Sequence, residues 1–258
     1  MKGLYVEVAG SGPPLVLLHG WAMHGGVFAP WLPLLQARHT VHVVDLPGHG
    51  HSRDCEVPLH PEACMDAIAA VVPQRAHWCG WSLGGSIALH VASRNPDAIA
   101  SLTMLCATPK FVVAPDWPHG MPREVFTGFA EGLRDDWRGT LARFIALEAM
   151  GSDHVREELQ LLQQVLFARG EPAPRVLADG LALLEATDLR DRLPGLRVPS
   201  LWIGGRRDRL VDPRAVQAAA GQAPDSQVQV VAQAGHAPFL THAAEVDAIH
   251  ARFLAEVA

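Results

Sequence analysis

Two hydrophobic periods alternate along the chain, and the alternation fails in one stretch only. Leu4 to Val8 places apolar and polar residues in turn, as a half-exposed edge strand does. After the turn-forming Gly10-Ser11-Gly12-Pro13-Pro14 comes the continuous apolar run Leu15-Val16-Leu17-Leu18, too short for a helix and read as a buried strand. The spacing then predicts a helix over Val27–Ala37, a buried strand over Val41–Asp45 and a helix over Glu62–Val72. A strand follows from Ala76 into Gly80, then a helix from Leu83 that proline stops at Asn95-Pro96, then a strand over Ser101–Cys106. The rhythm resumes later with strand Ser200–Gly204, helix Pro213–Gly221, strand Gln227–Val231 and a closing helix Ala243–Ala255. Strands and helices in this order predict an α/β fold, a mostly parallel central sheet with helices on both faces.

The interruption is Phe111–Leu193, which has no clear strand pattern and four helical ones: Glu124–Leu133, Thr140–Ala149, Val155–Ala168 and Arg175–Thr187. It is expected to be a helical insertion rather than a second independent domain. The division is then a core of 1–110 and 194–258 with a cap, 111–193, set into it. A chain of 258 residues is long enough to bury one full core with an inserted lid.

Composition narrows the function classes. With 49% apolar and 19% charged residues the chain is a folded globular protein, not a disordered one. A net charge of -6 and the absence of any basic run exclude a nucleic-acid footprint. The first residues, Met1-Lys2-Gly3-Leu4-Tyr5-Val6-Glu7, lack a secretory pattern, and no apolar segment approaches the ~20 residues that span a bilayer, so a cytoplasmic location is expected. Cys55, Cys64, Cys79 and Cys106 show no CxxC spacing and are read as free thiols.

Chemistry concentrates at Gly80-Trp81-Ser82-Leu83-Gly84-Gly85, a Gly-x-Ser-x-Gly pattern between a strand and a helix. A serine on such a turn is held in a strained conformation with its hydroxyl directed out of the fold. It is a poor nucleophile unless a base takes its proton during attack. Fourteen histidines are present, so the base is chosen by position. In an open parallel sheet, functional groups gather at the carboxyl ends of the strands. His236, a short loop after Gln227–Val231, lies on that edge. Asp208, a few residues after the Ser200–Gly204 strand, is the expected acid that orients the imidazole. Asp212 competes, although a residue before Pro213 also reads as a helix N-cap, and Asp45 at another strand end is a further alternative. The oxyanion donors are expected to be the backbone N–H groups of Leu83, at the helix start, and Trp21, in the loop after the first buried strand. This chemistry needs neither metal nor organic cofactor, and the histidines show no local ligand motif.

The order Ser82, Asp208, His236, together with His19-Gly20, the loop Asp45-Leu46-Pro47-Gly48-His49-Gly50-His51-Ser52 and the Gly80–Gly84 elbow, resembles the α/β-hydrolase superfamily over the whole chain. Serine at 82 argues against the haloalkane dehalogenases and epoxide hydrolases of that fold, which carry aspartate there. A narrower resemblance is to the biotin-pathway carboxylesterases that demethylate pimeloyl-acyl-carrier-protein methyl ester. It rests on Leu17–Met23, Gly80–Gly85, Gly235–Phe239 and the insertion stretch Arg143-Phe144-Ile145-Ala146-Leu147-Glu148-Ala149-Met150-Gly151.

That resemblance implies substrate contacts from Trp21, Ser82, Leu83, His236 and the segment Phe144, Ile145, Ala146, Leu147 and Glu148; separately, a monomer is expected. It also implies an acidic carrier protein meeting Arg138, Arg143 and Arg156, which otherwise read as a solvated helix face. The chain departs from that pattern. Gln160 stands where another arginine is expected, Glu148 replaces a neutral amide, and Asp153, Glu157 and Glu158 add opposing charge. A broad short-chain carboxylesterase, a carbon–carbon bond hydrolase, a perhydrolase and a non-enzymatic ligand receptor are the alternative functions on this fold.

Overall fold

The computed structural model describes residues 3–257, so the outermost positions of the expected core, 1, 2 and 258, lie outside it. Seven strands form one sheet: β1 Val6–Ala9, β2 Pro14–Leu18, β3 Thr40–Val44, β4 Ala76–Trp81, β5 Ile99–Leu105, β6 Ser200–Gly205 and β7 Ser226–Val231. Their order is β1-β3-β2-β4-β5-β6-β7. Only β1 runs antiparallel, pairing Val6 with Val44, and the other pairings are parallel. The apolar runs fall where their burial requires. Leu15–Leu18 of β2 and all of β4 are buried in the sheet centre, whereas β7, an edge strand, exposes Val228 and Gln229 and fully buries only Val231.

Ten α-helices accompany the sheet among the described residues: α1 Leu32–Gln36, α2 Pro61–Ala69, α3 Leu83–Arg94, α4 Arg123–Asp135, α5 Trp137–Ala149, α6 Val155–Leu166, α7 Pro174–Ala186, α8 Pro213–Ala220, α9 Pro238–Thr241 and α10 Ala243–Glu256. The helix expected over Val27–Ala37 does not form as one piece. Gly25–Phe28 is a 3₁₀ turn and only Leu32–Gln36 is α-helical. Pro30 and Pro33 remove two N–H donors, and Pro33 is tolerated because it falls in the first turn of α1.

The insertion contains α4 to α7, all between β5 and β6, and its two ends are clasped together. Lys110 and Asp188 form a β-bridge, and Lys110 Nζ stands 3.0 Å from Asp188 Oδ2. Two further bridges, Val112 with Met121 and Ala114 with Trp117, give the entry segment a little β character that its sequence pattern did not show. A buried ion pair ties the far end to the sheet. Arg169, between α6 and α7, donates to Asp45 at the end of β3 (3.2 Å) and pairs with Glu7 of β1 at 2.5 Å. No described helix is long and apolar enough to cross a membrane.

Candidate active site

Strain is concentrated at one edge of the sheet. Among the described residues, Ala22, Ser82 and Cys106 are the non-glycine positions with positive φ, and they follow the ends of β2, β4 and β5. Ser82 has φ 54° and ψ −117°. Such a conformation costs about 1–3 kcal/mol and persists only when its surroundings enforce it. Here the enforcement is packing without side chains. A Cβ at Gly80 would stand 2.4 Å from Gly84 O, and one at Gly84 would stand 2.3 Å from Leu18 O. The Ser82 N–H is held by Leu105 O at 3.0 Å, and α3 begins at the next residue. Leu83 N–H is therefore a first-turn donor with no intrahelical partner, at the positive end of the helix dipole. The loop after β2 closes on the same point, since a Cβ at Gly20 would meet the Trp81 ring at 2.9 Å and Ser82 Cβ at 3.3 Å. Trp21, the next residue, is thereby brought to the serine.

Asp208 and His236 meet as the strand order predicts. His236 Nδ1 and Asp208 Oδ2 are 2.8 Å apart, and both side chains are completely buried. The carboxylate is fixed from its other side by the N–H groups of Leu210 (2.8 Å) and Val211 (3.0 Å), which donate to Oδ1. An acceptor-only carboxylate makes Nδ1 the protonated nitrogen, which leaves Nε2 with its lone pair. Nε2 is buried and has no hydrogen-bond partner. The segment carrying the ring is wedged in place. Trp81 Nε1 donates to His236 O at 2.8 Å, and Phe239 packs 5.1 Å from Trp81 and 5.0 Å from Phe28.

The competing candidates are otherwise engaged. Asp212 is the N-cap of α8, accepting from Arg214 N at 2.8 Å. Asp45 accepts from Gly25 N (2.7 Å), His51 N (2.8 Å) and Arg169, so it cannot serve His236. His19, although beside the site, uses both ring nitrogens: Leu46 N–H donates to Nε2 (2.9 Å) and Nδ1 bonds Gly20 O (2.8 Å). Burial lowers the pKa of His19 and of its neighbour His49 to about 3, which keeps both neutral. Cys106 lies close to Asp208 and His236. Burial pushes its thiol well up, and the negative charge of Asp208 adds to the rise. A thiol held protonated in this way is not a rival nucleophile.

Over Ser82 lies a narrow apolar cavity of about 30 Å³. Of the substrate positions implied by resemblance, Trp21, Ser82 and Phe144 line it. Leu83 and Ile145 are buried, Ala146 is half-buried, and none of them lines it. Leu147 instead borders a surface groove that also contains Asp208. Glu148 turns inward, fully buried with neither carboxyl oxygen hydrogen-bonded. Burial raises its pKa well above the usual carboxylate value, with a further push from Asp208 and Glu158. The lining that sequence reasoning missed includes Phe126 and Phe129 of α4, Leu181 and Leu184 of α7, and Leu210. Helical spacing on α4 and α7 was a signal of an apolar face, but not of what it faces. Trp21 joins the two walls: its ring meets Phe144 edge-on at 4.6 Å, and its Nε1 donates to Leu177 O at 2.9 Å.

The three arginines do not converge. Arg138 and Arg143 are exposed on α5, five residues and so roughly 140° apart around the helix, and Arg156 is exposed on α6. Arg138 pairs with Glu171 and stacks 4.3 Å over Trp137, while Arg143 donates to Thr140 Oγ1 at 2.6 Å. Glu158, expected to oppose them at the surface, is instead buried, accepting from Ser152 and Thr241 hydroxyls at 2.6 Å each.

Comparison with known proteins agrees with this fold. Residues 13–243 match the model of a family described as alpha/beta hydrolase fold. A pimeloyl-[acyl-carrier protein] methyl ester esterase of Stenotrophomonas maltophilia is 54% identical over 98% of this chain and 96% of its own. One from Xanthomonas oryzae pv. oryzae is 52% identical over 98% of this chain and all of its own. Among solved structures, a bromoperoxidase from Bacillus anthracis superposes with a TM-score of 0.88 at 23% identity, covering 97% of this chain and 95% of its own. An esterase from Exiguobacterium antarcticum does so at 0.85 and 22%, covering 97% and 94%, and both likenesses speak to the fold alone. On sequence, site order and fold together, the chain belongs to the alpha/beta hydrolase fold family.

Proposed function

We propose that the protein is a serine carboxylesterase that hydrolyses the methyl ester of a pimeloyl group carried on acyl-carrier protein, a step of biotin synthesis. One observation carries the mechanism: a buried His236 whose Nδ1 is committed to Asp208 and whose Nε2 is free, on the sheet edge that presents Ser82. The substrate follows from the relatives' names and their identity over nearly the full chain.

In this reading Ser82 Oγ attacks the ester carbonyl while His236 Nε2 takes its proton. Asp208 holds the imidazole in the competent tautomer and stabilises the imidazolium. The oxyanion is received by the N–H groups of Trp21 and Leu83, each worth ~3 kcal/mol in the transition state. His236 returns the proton to the departing methoxide, so methanol leaves and an acyl-serine remains. Water, deprotonated by the same histidine, then releases the carboxylic acid and restores Ser82.

Segment 111–193 serves as the lid over the core, with the acyl chain lying against Phe144 and the α4 and α7 residues. The cavity is too narrow for a seven-carbon chain in the observed arrangement, so substrate entry requires the lid aromatics to move. A second groove of about 450 Å³, rimmed by Arg53 and Arg134, shares Leu181 with the cavity and offers the route. Arg138, Arg143 and Arg156 are the residues proposed to meet the acidic carrier.

The test is methanol release from the carrier-bound ester and from dimethyl pimelate. Ser82→Ala is expected to lower both rates by roughly 10⁴-fold or more. Replacing Arg143 and Arg156 with glutamate should raise KM for the carrier-bound ester alone. Wild-type turnover no faster than Ser82→Ala contradicts the esterase; equal KM effects on both substrates contradict carrier docking.

A further inference from the structure

The turn between α5 and α6 meets the turn between α9 and α10 through a cluster of side chains that the ester chemistry does not use: Asp153, His154, Glu157, Thr241 and His242. The ligating atoms of Asp153, His154 and His242 all lie within 4.8 Å of one another. His242 Nε2 is 3.2 Å from Asp153 Oδ1, and His154 Nε2 is 3.7 Å from the same oxygen. Both rings therefore turn the same nitrogen toward one carboxylate.

The state of those nitrogens follows from what lies behind each ring. Thr241 Oγ1 donates its proton to the buried Glu158 (2.6 Å), so toward His242 Nδ1 at 3.0 Å it can only accept. That makes Nδ1 the protonated nitrogen of His242 and leaves the Nε2 lone pair facing Asp153. His154 repeats the arrangement more loosely, with Nδ1 3.5 Å from Glu157 Oε2 and Nε2 toward Asp153. The Nε2 lone pair of His242 thus faces the Asp153 carboxylate across 3.2 Å, an arrangement that a cation between them relieves, and His154 Nε2 can present its own lone pair to the same oxygen. An oxygen behind Nδ1 with Nε2 forward is the arrangement by which metal-bound histidines are oriented.

We propose that Asp153, His154 and His242 bind a divalent transition-metal ion, Zn²⁺ in the first instance, with water completing the shell. Metal–ligand distances near 2.0–2.1 Å place tetrahedral donors about 3.3 Å apart, close to the shorter separations here after small side-chain rotations. Two imidazoles with one carboxylate favour Zn²⁺ over Mg²⁺ or Ca²⁺, which take oxygen shells. His154 and Asp153 are about half-exposed, so an ion can enter from solvent, while His242 is nearly buried and supplies the fixed ligand. The ion would act as a staple. Asp153 and His154 belong to the inserted helices and His242 to the core, and Asp153 N–H already donates to Gln233 O (3.1 Å) in the loop that leads to His236.

The experiment uses the full chain stripped with chelator, titrated with Zn²⁺ by calorimetry and followed by thermal unfolding. One equivalent should bind and raise Tm, Mg²⁺ at equal concentration should not, and the His154→Gln/His242→Gln double variant should bind at least tenfold more weakly with no rise in Tm. Metal-free hydrolysis of a p-nitrophenyl ester should be unchanged in that variant, which also shows that it folds. If it does not fold, Asp153→Asn takes its place, with weaker binding expected. No uptake by the wild type overturns the proposal. So does equal uptake by the variant.

Discussion

Two histidine–aspartate pairs, whose histidines are six residues apart in the chain, are wired oppositely. In His236–Asp208 the carboxylate takes Nδ1 and Nε2 is left without a partner, with both side chains fully buried. In His242–Asp153 a threonine takes Nδ1 and the carboxylate faces Nε2, at a half-exposed seam. The same two residue types thus give the proposed general base in one place and the proposed cation-facing cluster in the other. What decides is which nitrogen is committed, and how much water reaches the pair.

The comparison breaks most readily at the acid. Asp208→Asn offers an amide whose NH₂ can donate to Nδ1, which drives the proton to Nε2 and removes the base, so kcat should fall by roughly 10⁴-fold. Asp153→Asn should leave ester turnover in metal-free buffer within about twofold, as a residue outside the cavity. Comparable losses in the two variants, measured on one small ester, would mean that the two pairs are not distinct in function.

How much of this was legible in the sequence depends on the range of the interaction. The elbow was readable because Gly80, Ser82 and Gly84 are neighbours whose spacing is itself the steric solution. Asp208 and His236 were readable because parallel strands deliver their following loops to one edge. The helix over Val27–Ala37 failed because the apolar period outvoted Pro30 and Pro33. Segment Phe144–Glu148 was placed at the substrate as a block, yet a helix sends successive residues in different directions, and only Phe144 reaches the cavity. Glu158 read as surface charge because its partners, Ser152 and Thr241, are not both local. The seam cluster left no motif because its ligands come from positions 153, 154 and 242.

Glu148 sharpens the contrast from the side of stability. Its carboxyl is buried without partners and its folded pKa is raised from 4.5, so the folded state holds a proton that the unfolded state releases. The associated stability is full below about 4.5 and is lost as pH rises toward the elevated folded value. Glu148→Gln should therefore raise the urea midpoint at pH 8 relative to wild type and change it little at pH 4.5. A wild-type-like pH dependence in the variant would show that Glu148 is not held neutral.

The central claim is that Ser82 is the activated nucleophile. Intact-mass measurement after treatment with a fluorophosphonate tests it without presupposing the substrate. One adduct is expected, mapped to the peptide that contains Ser82, absent in Ser82→Ala and strongly slowed in Asp208→Asn. Labelling of another residue, or equal labelling of Ser82→Ala, would contradict the account.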